Sequence, residues 1–193
     1  SGGSSICDFE EKFRTYLGVR YSLSYSNGTC AIFSVLKSLN VGRGDEVLVT
    51  SATFWASVMP ILQCGATPVF VDISRSDLGP CVDDIYRNIT NATKAIIVVH
   101  LFGIPCDLLE ISRILLNKGI YIIEDASHAH GAMIGDKKVG TIGDAGIFSF
   151  QQSKLVAAGE GGMVVTNNEK IYKDCVLLSH FQRLNSMDEE YKQ

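Results

Sequence analysis

The sequence predicts an α/β fold, a three-layer α/β/α sandwich around a mostly parallel central sheet. Short, nearly continuous apolar runs recur along it, as strands covered on both faces require. Between them lie stretches with apolar residues at i, i+3, i+4 and i+7, the spacing of one helix face. Glycine and asparagine punctuate the expected helix ends. Strand–helix alternation of this kind implies right-handed crossovers and helices on both sheet faces.

The elements follow in order. Residues 8–17 read as an amphipathic helix ended by Gly18. Ile32, Val35, Leu36 and Leu39 mark a second helix after Thr29. A strand is expected at 46–50, then a helix-like run at 56–62 and strands at 68–72 and 95–101. Leu108, Ile111, Leu115 and Leu116 form a helix face after Pro105, and Asn117-Lys118-Gly119 stops it with a left-handed glycine cap. Strands at 120–124, 147–150 and 163–166 complete the pattern, with no internal repeat and no linker.

Composition narrows the function. The 193 residues are enough for a sizeable core, and 46% hydrophobic with 20% charged residues excludes a disordered or fibrous chain. A net charge of −4 argues against binding a nucleic-acid backbone, which needs a basic face. The most apolar stretch, 95–102, is far shorter than the ~20 residues of a spanning helix, so no membrane association is expected. The opening Ser1-Gly2-Gly3-Ser4-Ser5 has no basic region followed by an apolar one and does not read as a signal peptide. Six cysteines without a C-x-x-C pair read as scattered buried thiols, and the expected location is cytoplasmic.

In parallel sheets, ligands collect beyond the carboxyl ends of the strands. Four polar or aromatic clusters fall there: Asn27-Gly28-Thr29, Thr53-Phe54-Trp55, the run from Asp125 to His130, and that from Ser149 to Lys154. Asn27-Gly28-Thr29 opens a helix, whose free N–H groups and dipole suit a phosphate; a plain N-cap is the simpler alternative. Phe54 or Trp55 offers a face to a planar ring, or serves as core. Asp125 at a strand mouth suits an N-cap, a metal ligand or a buried cation's partner. With His128 and His130 it forms Asp-x-x-His-x-His, competent for zinc but without an evident further ligand, so no metal is assigned. Lys154, among apolar neighbours and closed by Gly159-Glu160-Gly161-Gly162, is either a snorkelling lysine or an amine whose pKa partial burial lowers. Taken together, these are the parts that pyridoxal 5'-phosphate (PLP) needs: an amine, a carboxylate for the pyridine nitrogen, a phosphate cradle and an aromatic face. The G-x-G-x-x-G of a dinucleotide site is absent from Ser26-Asn27-Gly28-Thr29.

The sequence resembles the PLP-dependent sugar aminotransferases of the DegT/DnrJ/EryC1/StrS family, of fold type I. The motifs are Asn27-Gly28-Thr29, Gly42-x-Gly44-Asp45-Glu46-Val47, Thr53-Phe54, Gly65-Ala66-Thr67-Pro68-Val69-Phe70-Val71-Asp72, Glu124-Asp125-Ala126-Ser127-His128-Ala129-His130-Gly131, Gly143-Asp144-Ala145-Gly146, Phe148-Ser149-Phe150, and Lys154 with its glycine turn. The resemblance runs from Phe9 to about Leu178. It implies that Lys154 holds the cofactor covalently and shuttles a proton, and that Asp125 pairs with the ring nitrogen. His128 stands near the ring hydroxyl, Phe54 stacks on the ring, and Gly28, Thr29 and Ser149 hold the phosphate. Members often carry Ser where this chain has Asn27. The implied reaction is ping-pong transfer of an amino group from glutamate or glutamine, through pyridoxamine phosphate, to a nucleotide-linked keto-sugar or a keto-cyclitol. The expected assembly is a homodimer, in antibiotic or polysaccharide biosynthesis. Related deoxysugar dehydratases carry histidine in place of the lysine, so Lys154 favours an aminotransferase. A lyase or aromatising synthase of the same family, or a non-catalytic PLP-fold subunit, is the alternative. The resemblance also implies an N-terminal helix region at 1–18 without the family's first segment, a PLP-binding large domain at 19–180, and at 181–193 a connection to a missing small domain.

Overall fold

The computed structural model describes residues 4–180 and Arg183; the rest of the expected connection at 181–193 lies outside the described residues. In chain order the elements are α1 (Ser4–Leu17), β1 (Tyr21–Tyr25), α2 (Gly28–Ser38), β2 (Glu46–Thr50), α3 (Trp55–Gln63), β3 (Thr67–Val71), α4 (Val82–Asn88), β4 (Thr93–Val99), a 3-10 turn (Leu101–Gly103), α5 (Leu108–Leu115), β5 (Tyr121–Asp125), β6 (Met133–Ile134), β7 (Lys137–Lys138), β8 (Ala145–Ser149), β9 (Gly162–Thr166) and α6 (Glu169–Ser179). Among the described residues, seven strands form one sheet in the order β1-β9-β8-β5-β4-β2-β3, and β6 and β7 pair separately. The sheet is parallel except at β9, which runs against both β8 and β1.

Alternation along the strands builds the three layers, because successive side chains leave opposite faces. Val47, Val49, Ala95, Ile97, Ile123 and Val164 face one way, against Ile32, Val35 and Leu36 of α2, Ile61 of α3 and Ile171 of α6. Leu48, Ile96, Val98 and Ile122 face the other, against Ile85 of α4 and Leu108, Ile111 and Leu115 of α5. Helix α1 joins that second face beside β8 and β9, where Phe13 sits edge-on to Phe148 and Phe150 at 5.0 and 5.4 Å. Glu10 fastens the same helix by accepting from the Ser24 N–H and hydroxyl, both at 2.7 Å. The three-layer expectation holds.

Besides α4 and the β6–β7 pair, which were not among the expected elements, three details differ from the sequence reading. Strand β1 was not among the expected strands, because its Tyr-Ser-Leu-Ser-Tyr alternation at a sheet edge lacks the continuous apolar run. Helix α6 carried a legible start: Asn168 accepts from the Lys170 and Ile171 N–H groups. Strand β4 ends at Val99, short of the expected 101, because Phe102 and Gly103 turn through left-handed φ values of 56° and 84°. The cysteine expectation needs correcting as well. Cys106 and Cys175 are buried, but Cys7 and Cys30 are exposed and Cys64 and Cys81 only partly buried, Cys64 at the edge of the core cluster around α2 and α3. All six are free thiols. No helix among the described residues is long and apolar enough to cross a membrane.

Candidate active site

Parallel pairing brings the carboxyl ends of β2, β4, β5 and β8 to one edge, beside the N-terminus of α2. A cavity of ≈ 560 Å³ opens there, and Gly28, Thr29, Phe54, Asp125, His128, Ser149 and Lys154 all line it. The fold gathers every predicted site residue onto one wall system.

Asp125 is the last residue of β5 and is buried. Its Oδ2 accepts from the Ser57 hydroxyl at 2.7 Å and its Oδ1 from the Ser127 N–H at 3.1 Å. Ser57 in turn accepts from the Thr53 hydroxyl at 2.9 Å, so the loop before α3 steers the carboxylate. The backbone of Asp125 is tied too, its carbonyl accepting from the His100 N–H at 3.1 Å.

Asn27 caps α2, its side chain accepting from the Cys30 N–H at 2.8 Å. The first N–H groups of a helix have no intrahelical partner, and Gly28 and Thr29, which line the cavity, carry two of them as candidate anion donors. Buried Ser149 ends β8 close by: a Cβ built on Gly28 would meet its Cβ and the Ser127 Oγ at 3.4 Å. Beneath the turn runs β9, whose Gly162 would place a Cβ 2.3 Å from the Asn27 carbonyl carbon and oxygen. Backbone cannot yield there, so Gly162→Ala should push the turn off its position. The expected result in the full-length protein is a roughly tenfold or greater loss of PLP affinity by fluorescence titration, with about 1–3 kcal/mol of destabilisation. Unchanged affinity would show that β9 does not support the turn.

Lys154 is half-buried in a short turn beyond β8. The Gln151 carbonyl accepts from the Lys154 N–H at 2.8 Å, and the Gln151 Oε1 accepts from the Ser153 N–H and hydroxyl at 2.8 and 2.6 Å. The following Leu155 and Val156 are exposed, so they do not enclose the amine as the sequence suggested.

His128 stacks parallel to Phe102 at 6.4 Å, whereas His130 turns toward Phe148 and Phe150. Among the described residues no group of three or more His, Cys, Asp or Glu is placed to hold a metal ion. Burial is the main cause holding the imidazoles of His128, His130 and His180 below the usual 6.5, and the Lys154 ammonium adds to the effect on the first two. A folded pKa below the unfolded one means that acid favours the unfolded chain. This stability is complete above about pH 6.5 and is lost as the pH falls below that value through the lower folded-state pKa values. The thermal midpoint should therefore drop between pH 7 and pH 5, and His130→Gln should flatten the drop. An equal decline in that variant would exclude His130 as a cause.

Sequence reasoning missed the structural role of Glu124, on the sheet face away from the cavity. Glu124 and Asp125 are neighbours in β5, so the pleat sends them to opposite faces. Glu124 is fully buried and accepts from the Gly140, Ile142 and Gly143 N–H groups at 2.7, 2.6 and 2.7 Å. It also meets the His100 Nε2 at 3.2 Å. The His100 Nδ1 accepts from the Cys106 N–H at 3.3 Å, which places the ring proton on Nε2, donated to Glu124. Period-2 alternation at Glu124-Asp125 was the available signal. For Ser57 there was none.

Comparison with known proteins establishes the family and the fold. The family model for the DegT/DnrJ/EryC1/StrS aminotransferase family matches residues 1–193. The chain belongs to this family. GDP-perosamine synthase of Vibrio cholerae is 41% identical over 180 residues, covering 93% of this chain and 49% of that protein. The X-ray structure of an aminotransferase from Psychrobacter cryohalolentis superposes with a TM-score of 0.91 at 36% identity, over 97% of this chain and 49% of that one. NtdA from Bacillus subtilis, solved with bound cofactor PMP, gives a TM-score of 0.86 at 32% identity over 93% of this chain and 41% of that one. The DegT/DnrJ/EryC1/StrS chain described here thus has the fold of type I PLP-dependent aminotransferases. It spans about half the length of the curated relatives it matches. The lining of its cavity fits PLP: the first residues of a helix, a serine hydroxyl, a steered carboxylate, an amine and an aromatic ring all border it.

Proposed function

We propose that the full-length protein is a PLP-dependent aminotransferase. It transfers an amino group from glutamate or glutamine to a nucleotide-linked keto-sugar or a keto-cyclitol in a ping-pong cycle. One juxtaposition carries this reading: the Lys154 amine and the buried Asp125 carboxylate line the same cavity as the N-terminus of α2.

Bound PLP supplies a reactive aldehyde carbon and a ring that withdraws electrons once its nitrogen is protonated. Asp125, fixed by Ser57 and Ser127, holds that proton on the nitrogen. Gly28 and Thr29 bind the phosphate through backbone N–H groups aligned with the helix dipole, and the Ser149 hydroxyl adds a donor. Phe54, which lines the cavity, would cover a ring face and exclude water from it. His128, kept neutral near pH 7, offers a hydrogen bond to the ring hydroxyl without adding a second cation beside Lys154. The Lys154 amine would hold the cofactor at its aldehyde carbon, with loss of water, and as a free amine would accept and return the proton at the substrate carbon. The homodimer and the amino donor follow from the family resemblance. A cytoplasmic location accords with six free thiols.

The test is spectroscopic. Full-length protein mixed with PLP should gain a violet absorbance band that borohydride fixes and that glutamate or glutamine bleaches. A band that no amino donor bleaches would instead indicate the lyase-type or non-catalytic alternative. Absence of any band would overturn the reading.

A further inference from the structure

Helix α3 opens in an unusual way. Phe54 is its N-cap and makes no side-chain capping bond, although this position favours Ser, Thr, Asp or Asn. Phe54 is 58% exposed and the adjacent Trp55 60%, although large aromatics gain most from burial. The chain gives up stability at two neighbouring positions, and both line the cavity. A ligand-facing role accounts for both losses.

The two rings have separate tasks. Their centroids lie 5.2 Å apart with the planes at 44°, so one flat ligand cannot stack on both. With Phe54 against the cofactor ring, the indole face of Trp55 is left for a second ring. We propose that Trp55 is the platform for the acceptor substrate, taking the C–H face of a pyranose or cyclitol ring and thereby setting acceptor affinity. The inference rests on the aminotransferase reading above. Gln151, Ser153 and Glu160 line the same cavity and supply hydrogen-bonding groups for the hydroxyl edge of such a ring. An amino acid donor such as glutamate has no ring to stack, so the contact acts on the acceptor half of the cycle.

Trp55 is the sole tryptophan of the 193-residue sequence, and in the full-length protein its emission is isolated as the component that Trp55→Phe removes. In PLP-loaded full-length protein, the unreactive probes GDP-mannose and myo-inositol are titrated against tryptophan fluorescence, with GDP alone as reference. At least one ring probe should quench the component that Trp55→Phe removes, and GDP should not. Quenching by GDP-mannose identifies a sugar ring, and quenching by myo-inositol a cyclitol. In steady-state assays with a 4-keto-6-deoxyhexose nucleotide or a keto-cyclitol, Trp55→Leu should raise the acceptor KM about tenfold, with kcat within about threefold. Trp55→Phe should recover most of the affinity. Equal KM in Trp55→Leu and wild type overturns the proposal, as does quenching by GDP equal to that by the ring probes. A wild-type protein that binds PLP and transfers amino groups leaves the aminotransferase reading standing in either case. A wild-type protein that does neither removes that reading, and this proposal with it.

Discussion

Lys154→Arg in the full-length protein is expected to abolish amino transfer while leaving the cavity's charge in place. Arginine keeps a cation on the turn beyond β8 but stays protonated at any working pH, so it can neither bond an aldehyde carbon nor carry a proton. Turnover should fall by about 10^4-fold or more, because nucleophile and proton carrier are lost together. The variant should still bind PLP through the α2 N-terminus and Asp125, but release it on gel filtration after borohydride, which the wild type does not. Binding and chemistry are thereby separated. Activity within about tenfold of wild type would remove Lys154 from the mechanism.

Glu124→Leu should be the most damaging change to the fold. The carboxylate is wholly buried and collects three backbone N–H groups and the His100 ring. Leucine leaves all of them without an acceptor in the protein interior. Losing one partner of such a network costs about 3–5 kcal/mol, or about 10 °C in thermal midpoint for a domain of this size. Glu124→Gln should cost less. Its Oε1 still accepts from Ile142 and Gly143, while its amide group confronts the donors of Gly140 and His100. Midpoints measured by circular dichroism with both variants test the ranking. A leucine variant as stable as wild type would show that the 140–143 turn is held by something else.

The sequence was most informative where chemistry restricts the residue type. Few side chains can serve as a covalent amine or as the partner of a pyridine nitrogen, so Lys154 and Asp125 stood out. The rule that ligands gather at the carboxyl ends of parallel strands then brought Gly28, Phe54 and Ser149 into the same expected crevice. Glu124 escaped notice because a buried structural acid and a site acid look alike side by side in a strand, and only the facing decides between them. Ser57 escaped because a serine in the first turn of a helix is unremarkable until a carboxylate 68 positions away arrives beside it. Gly162 read as part of a closing turn, whereas its place under Asn27 depends on β9 running antiparallel between β8 and β1.

By itself, then, the sequence determined the α/β class, the helices α1, α2 and α5, most central strands, and the residue types able to do the chemistry. Those features rest on spacing between near neighbours in the chain and on the intrinsic reactivity of single side chains. The tertiary structure alone decided that Glu124 turns away from the cavity to hold the 140–143 turn, which hydroxyl steers Asp125, which glycine supports the anion-binding turn, and that Phe54 and Trp55 stand open beside it. These are contacts between segments far apart in sequence. Strand order and the packing of two helical layers bring them together, and no local pattern encodes that outcome.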